Sequence, residues 1–143
     1  MNLSDLLKED RIKETKPDMA QAEECLKGAK RDLRVAKKML QEDFDWAFSV
    51  AYNAMLQSAR ALMFAEGYAP TGENHHKTTV DYADAKLGTK FKEKIELFDD
   101  MRKKRHKVVY EKVGVVSEFE AKHAIQTAED FLHKIEEKLK KAR

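Results

Sequence analysis

Apolar residues recur three and four apart along nearly the whole chain, the spacing that gathers them on one side of an α-helix. The pattern is densest over residues 44–68. There Ala47, Val50, Ala51, Ala54, Met55, Ala61 and Leu62 form one face, while Tyr52, Leu56, Ala59 and Met63 carry apolar character round to the next. A helix that is apolar over most of its circumference needs neighbours on several sides, so this segment is expected at the centre of a bundle. Upstream, Pro17 and Asp18 open a helix with the stripe Met19, Ala22, Leu26, Ala29, Leu33, Ala36 and Leu40. Glu42 and Asp43 leave room only for a tight break before residue 44, so the two helices should pack as an antiparallel hairpin.

At the start of the chain, Leu3, Leu6, Leu7 and Ile12, with Ser4 or Asp5 as a cap, predict a short amphipathic helix within residues 3–14. Past the central helix, residues 67–74 concentrate Gly, Pro and Asn and read as a loop. Residues 75–87 read as a short helix buried through His76, Val80, Ala83 and Leu87 and closed by Gly88. A further helix over 90–113 turns Phe91, Ile95 and Phe98 inward and breaks at Gly114. Ser117 with Glu120 matches a capping box ahead of a last stripe from Ala121 to Leu139, and the terminal KKAR is expected to fray. No strand pattern and no internal repeat is legible. The expectation is an all-α, up-and-down bundle of five or six helices, with residues 1–16 a short helix and linker and residues 17–143 a single bundle.

Composition agrees with long solvated helices: charged residues make up 38% of the chain, against five glycines and two prolines. With 28 basic and 26 acidic residues the net charge is only +2, so any nucleic-acid contact must come from a local patch. The lone Cys25 has no partner in the chain for a disulfide, and no charged segment followed by an apolar run opens the sequence as a secretory signal would. These features point to the cytoplasm. Asn53, Gln57, Ser58 and Arg60 interrupt even the most apolar stretch, so no membrane span is expected.

The chemistry-bearing stretch is the late part of the fifth helix. Its inward stripe, followed past Phe98, arrives at Arg102, Arg105, Val109 and Val113, with His106 and Tyr110 on the flank. A guanidinium cannot shed its charge, so one turned toward a core must be answered by acidic or hydrogen-bonding partners. One answer is internal: Glu66, Asp45 or Asp99 pairs with an arginine and fixes helix packing. The other is a groove that receives phosphate, for which the arginine fork is well shaped and which Lys103, Lys104 and Lys107 favour. Adjacent His75 and His76 cannot both face one metal from one helix, and His123 and His133 fall on the outer side of the last helix, so neither a metal nor another cofactor is expected. His76 either packs near its helix start or lies beside the groove. Tyr52 and Asn53 either pack in the core or turn their polar tips to the arginines, and Trp46 is expected as a core anchor.

The central AYNAMLQSARALMFAEGY, the HHK after the Gly-containing loop and the late RKKRHKVVY together resemble the HEPN domain, a helical nucleotide-binding family often encoded beside a minimal nucleotidyltransferase. The likeness runs from about residue 18 to residue 139. It implies an up-and-down bundle, commonly a homodimer, with a signature of Arg, a polar residue, three variable residues and His. Many members with that signature are metal-independent endoribonucleases, several of them toxins silenced by a nucleotidyltransferase antitoxin. Here the signature aligns with Arg105, His106, Lys107, Val108, Val109 and Tyr110, so tyrosine stands where the family has histidine. A phenol with an ordinary pKa near 10 exchanges protons poorly at neutral pH, which argues against nuclease chemistry. A family subgroup with an Arg-to-Tyr motif resembles binding partners more than nucleases.

Three functions follow. The first is a nucleotide- or RNA-binding protein paired with a nucleotidyltransferase in a toxin-antitoxin-like system, with Arg102, Arg105, Tyr110, Tyr52 and His76 binding ligand. The second is an interaction module without chemistry. The third is a metal-independent endoribonuclease with His106 as its acid or base. Geometry bears on the choice, since residues 105 and 110 of an ideal helix point about 140° apart, whereas 102, 106 and 110 advance by about 40° per step.

Overall fold

The computed structural model describes residues 2–142. Helix α1 (Leu3–Lys8) and strand β1 (Ile12–Glu14) precede the long helices α2 (Met19–Met39) and α3 (Phe44–Glu66). Strand β2 (Tyr68–Pro70), α4 (His75–Leu87), a 3₁₀ turn at Thr89–Phe91, α5 (Lys92–Tyr110) and α6 (Glu118–Ala142) complete the chain. Helix α3 runs roughly 34 Å at about 1.5 Å per residue and touches α2, α4, α5 and α6. Its alanines allow this crowding, since Ala47, Ala51, Ala54, Ala59 and Ala61 are fully buried. The expected helical bundle is therefore observed, organised around its most apolar segment.

Local chemistry sets the helix ends. Asp18 and Asp43 accept the backbone N–H groups of Gln21 and Trp46, each satisfying a donor that the first helical turn leaves open. Ser117 and Glu120 make the reciprocal capping box before α6. Gly67 ends α3 in the left-handed region at φ 81°, and a Cβ there would lie 2.7 Å from the Thr15 carbonyl oxygen. Only glycine lets residue 15 approach and donate its N–H to the Gly67 carbonyl at 2.8 Å.

Several expectations require correction. The chain does contain strands: Ile12, Lys13 and Glu14 lie opposite Pro70, Ala69 and Tyr68 in an antiparallel pair. Three residues are too few to display a period-two pattern, so tertiary pairing alone reveals them. The N-terminal helix ends at Lys8, and Leu6 is fully buried where α1 meets α4. Trp46 is 54% exposed and is no core anchor, because Asp45 takes the inward position beside it. The Asp45 carboxylate accepts the N–H groups of Gly114 (2.6 Å) and Val116 (3.1 Å), pinning the segment between α5 and α6. Helix α5 stops at Tyr110 rather than at 113, which leaves Val113 89% exposed instead of inward. Lys140 and Lys141 remain helical, while Arg143 lies outside the described residues.

Candidate functional site

Helix α5 buries Ile95, Phe98 and Met101 against the core. Because Met101 takes the inward position at its turn, Arg102 and Arg105 are carried to the margin of the core, where both are half-buried. Arg102 donates to Asp99 at 3.0 Å, and Lys77 and Lys103 also reach that carboxylate. Burial acts to raise the Asp99 pKa, but the hydrogen bond and charge of Arg102, with Lys77, outweigh it and hold the carboxyl below its ordinary value. The internal ion pair is thus realised for Arg102. Glu66 and Asp45 are engaged elsewhere, Glu66 by Tyr82 and Lys86 and Asp45 by backbone N–H groups.

Arg105 is different. Its guanidinium carbon lies 5.6 Å from the centre of the Tyr52 ring, a cation–π placement, and among the described residues no carboxylate is within ion-pairing distance. Tyr52 is fully buried, and its ring also meets Phe98 at 5.6 Å. Its hydroxyl lies 2.9 Å from His76 Nδ1, at the start of α4. Burial pushes the Tyr52 pKa well above the ordinary phenol value despite the nearby arginines, so the phenol stays protonated and needs an acceptor. Nδ1 of His76 is the partner within reach, and the His76 tautomer with its proton on Nε2 is the one that accepts from the phenol.

His76 itself is exposed, contrary to the expectation that it would be buried, and it is held in place by that bond to the core. Partial desolvation lowers its pKa, and the charges of Arg105, Arg102, Arg60 and His75 lower it further. Cations from two helices thus converge on one imidazole. Of the two placements open to Asn53, packing or turning toward the arginines, the structure shows no turn to the arginines: it donates to Asp32 of α2 at 2.7 Å.

Beside His76 opens a cleft of about 380 Å³ between the second half of α3, β2 and the start of α4. Arg60, His75 and His76 are the basic residues of its lining, and Phe64, Met63 and Tyr68 are among the apolar ones. Among the described residues no carboxylate lines it. Tyr52, Leu56 and Arg60 are successive turns of one face of α3, of which Leu56 and Arg60 line the cleft while Tyr52 lies fully buried beneath Arg105. Arg60 and His75 were not singled out from the sequence. The available signal was an arginine inside an otherwise apolar helix, together with the first histidine of the HHK stretch.

His106 and Tyr110 form a separate pair, both exposed, with ring centres 5.0 Å apart. The structure thus brings together Arg102, Arg105, Tyr52 and His76, while Tyr110 is 68% exposed and has His106 as its ring neighbour. Among the described residues no group of histidine, cysteine and carboxylate side chains is arranged to hold a metal ion, and no helix is long and apolar enough to cross a membrane.

The HEPN domain family model matches residues 22–138. Among solved structures, the chain is similar to the crystal structure of TT1696 from Thermus thermophilus, with a TM-score of 0.65 and 23% identity. That alignment covers 82% of this chain and 98% of the other, a likeness of fold. No curated protein matches significantly.

Proposed function

Because the chain belongs to the HEPN domain family, we propose that it is a nucleotide- or RNA-binding protein whose ligand phosphate sits on Arg105 and Arg102, beside Tyr52 and His76. The observation that carries this reading is the state of Arg105, a half-buried guanidinium over an aromatic face with no described carboxylate to neutralise it. Such a fork has donors to spare for phosphate oxygens. Arg102 contributes charge while Asp99 holds it in position. Replacing both arginines with alanine should abolish binding of nucleotides and of short RNA while circular dichroism shows unchanged helix content. Undiminished binding overturns the reading.

In this reading the Arg105-x4-Tyr110 motif binds rather than cleaves. Tyr110 contributes contact, and His106, whose ring centre lies 5.0 Å from that of Tyr110, is the side chain of the motif suited to proton transfer. Cleavage of single-stranded RNA in the presence of a chelator, removed by His106→Ala, would instead establish a metal-independent ribonuclease. Support for a nucleotidyltransferase partner in a toxin-antitoxin-like pair comes from the family resemblance alone, and co-purification with such a partner tests it.

A second reading, a helical interaction module that forms a homodimer, is favoured by the exposed side chains at one end of the bundle. Trp46 is 54%, Tyr110 68%, Val113 89% and Phe119 75% exposed. Asp45 ties the 111–117 segment to the start of α3, so these apolar groups share that end.

A further inference from the structure

We infer that Arg11, in the turn between α1 and β1, is a positioning residue for the candidate site: by occupying Asp81 it leaves Lys77 to share Asp99 with Arg102, and so keeps part of the Arg102 charge available to a ligand. What that charge binds rests on the proposed function, whereas the chain of ion pairs does not. Arg11 also lies outside the family's matched span, which begins at residue 22.

Charges of alternating sign lead from Arg11 to the site. Arg11 Nη2 lies 2.7 Å from the Asp81 carboxylate on α4, and the same nitrogen donates to the buried Thr78 hydroxyl at 3.2 Å. Asp81 also holds Lys77, one turn earlier on α4, at 3.3 Å. Lys77 crosses to Asp99 on α5 at 3.4 Å, and Asp99 accepts from Arg102 at 3.0 Å. The side chains of Arg11, Asp81, Asp99 and Arg102 are each 25% exposed or less, so solvent screens these contacts only in part.

The backbone around Arg11 is fixed from both sides. Asp10 takes the left-handed conformation at φ 54° in the turn after α1, one that aspartate tolerates. Thr71 donates its N–H to the Arg11 carbonyl at 2.9 Å and its hydroxyl to the Asp10 carbonyl, while Leu6 and Ile12 are buried. A side chain carried on so constrained a backbone has less freedom left to lose on pairing.

The consequence for Arg102 is electrostatic. The seam between α4 and α5 is acidic, with Asp84, Glu96 and Asp100 beside Asp81 and Asp99, against Lys77 and Lys92. Lys77 reaches both Asp81 and Asp99 but carries one charge. With Arg11 on Asp81, Lys77 is drawn to Asp99, which is then shared between α4 and α5. Without Arg11, Asp81 competes for Lys77, and Asp99 is left to Arg102 and Lys103. Arg102 is then neutralised more completely, although Arg11 sits on a different element.

The test is a carbon-13 NMR titration of the Asp99 carboxyl in the full chain, for the wild type, Arg11→Gln, Arg11→Gln/Asp81→Asn, Lys77→Met and Lys77→Met/Arg11→Gln. Burial raises the Asp99 pKa, whereas Arg102 and Lys77 lower it. Arg11→Gln should therefore move the Asp99 midpoint upward as Lys77 turns to Asp81, and Arg11→Lys should titrate close to wild type. Removing the Asp81 charge as well should bring the midpoint back, which loss of a simple anchor for α1 and β1 would not do. In the Lys77→Met background Arg11→Gln should add nothing, because the link is cut. Affinity for a uridine oligonucleotide should fall by about twofold or more in Arg11→Gln and recover with Asp81→Asn. A wild-type Asp99 midpoint in Arg11→Gln, an equal shift with and without Lys77, or an unchanged oligonucleotide affinity each overturns the inference. If Asp99 shifts as stated but the wild type binds no RNA, the ion-pair chain stands and the proposed function falls. If binding depends on Arg102 while Asp99 ignores Arg11, the proposed function stands and the role of Arg11 falls.

Discussion

At the scale of single residues, Arg105 and His76 differ in how they hold charge. Arg105 is permanently cationic, whereas His76 is kept neutral by partial desolvation and by surrounding positive charge. With its folded-state pKa below the ordinary 6.5, the unfolded chain binds more protons in the window between the two values. The stability that His76 contributes is therefore present above pH 6.5 and lost as pH falls through its lowered value. An anion held by Arg105 and Arg102 beside His76, as in the proposed function, reverses the balance, because it favours the imidazolium. Affinity for a nucleoside monophosphate should then rise from pH 8 toward pH 6.5 more steeply in the wild type than in His76→Gln, as measured by calorimetry in matched buffers. Equal slopes would separate His76 from the ligand. Gly67 marks the opposite kind of residue, one chosen for backbone freedom: Gly67→Ala forces a side chain into φ 81° and against the Thr15 carbonyl. It should cost on the order of 1–3 kcal/mol in denaturant unfolding, as strained left-handed residues do.

Among the elements, α5 is where periodicity and packing part company. A stripe counted from Phe98 in steps of four and three leads to Arg102 and Arg105, yet the buried position at that turn belongs to Met101. The physical reason is that the core-facing side of a helix is a broad arc rather than a line, and a long cationic side chain at its margin can carry its head outward. The stop at Tyr110 and the pinned segment after it depend on Asp45, a residue 69 positions from Gly114 in sequence. Asp45→Ala removes two charge-assisted hydrogen bonds from partly buried N–H groups, at about 1.5–3 kcal/mol each by typical values. Amide exchange at Gly114 and Val116 should accelerate well before that of α3, and unchanged protection there would refute the tether.

For the molecule as a whole, the question is what covers the end that carries Trp46, Val113 and Phe119. Large apolar side chains exposed together suit an interface, and their replacement should act on association rather than on folding. Trp46→Lys with Phe119→Lys should convert a dimer to a monomer in analytical ultracentrifugation with little change in melting temperature; a wild type that is monomeric at all concentrations would remove the dimer reading. The likeness to the HEPN domain was carried by the stretches AYNAMLQSARALMFAEGY, HHK and RKKRHKVVY. The chain's order of helices, its central segment and the capping box at Ser117 were legible from residue spacing, because helical burial and capping are governed by neighbours three and four positions away. The paired strands, the outward turn of Trp46, the encirclement of His76 and the cleft at Arg60 and His75 were not. Each depends on residues from distant segments meeting across the bundle, and such proximity in space is decided only when α3, α4 and α5 pack.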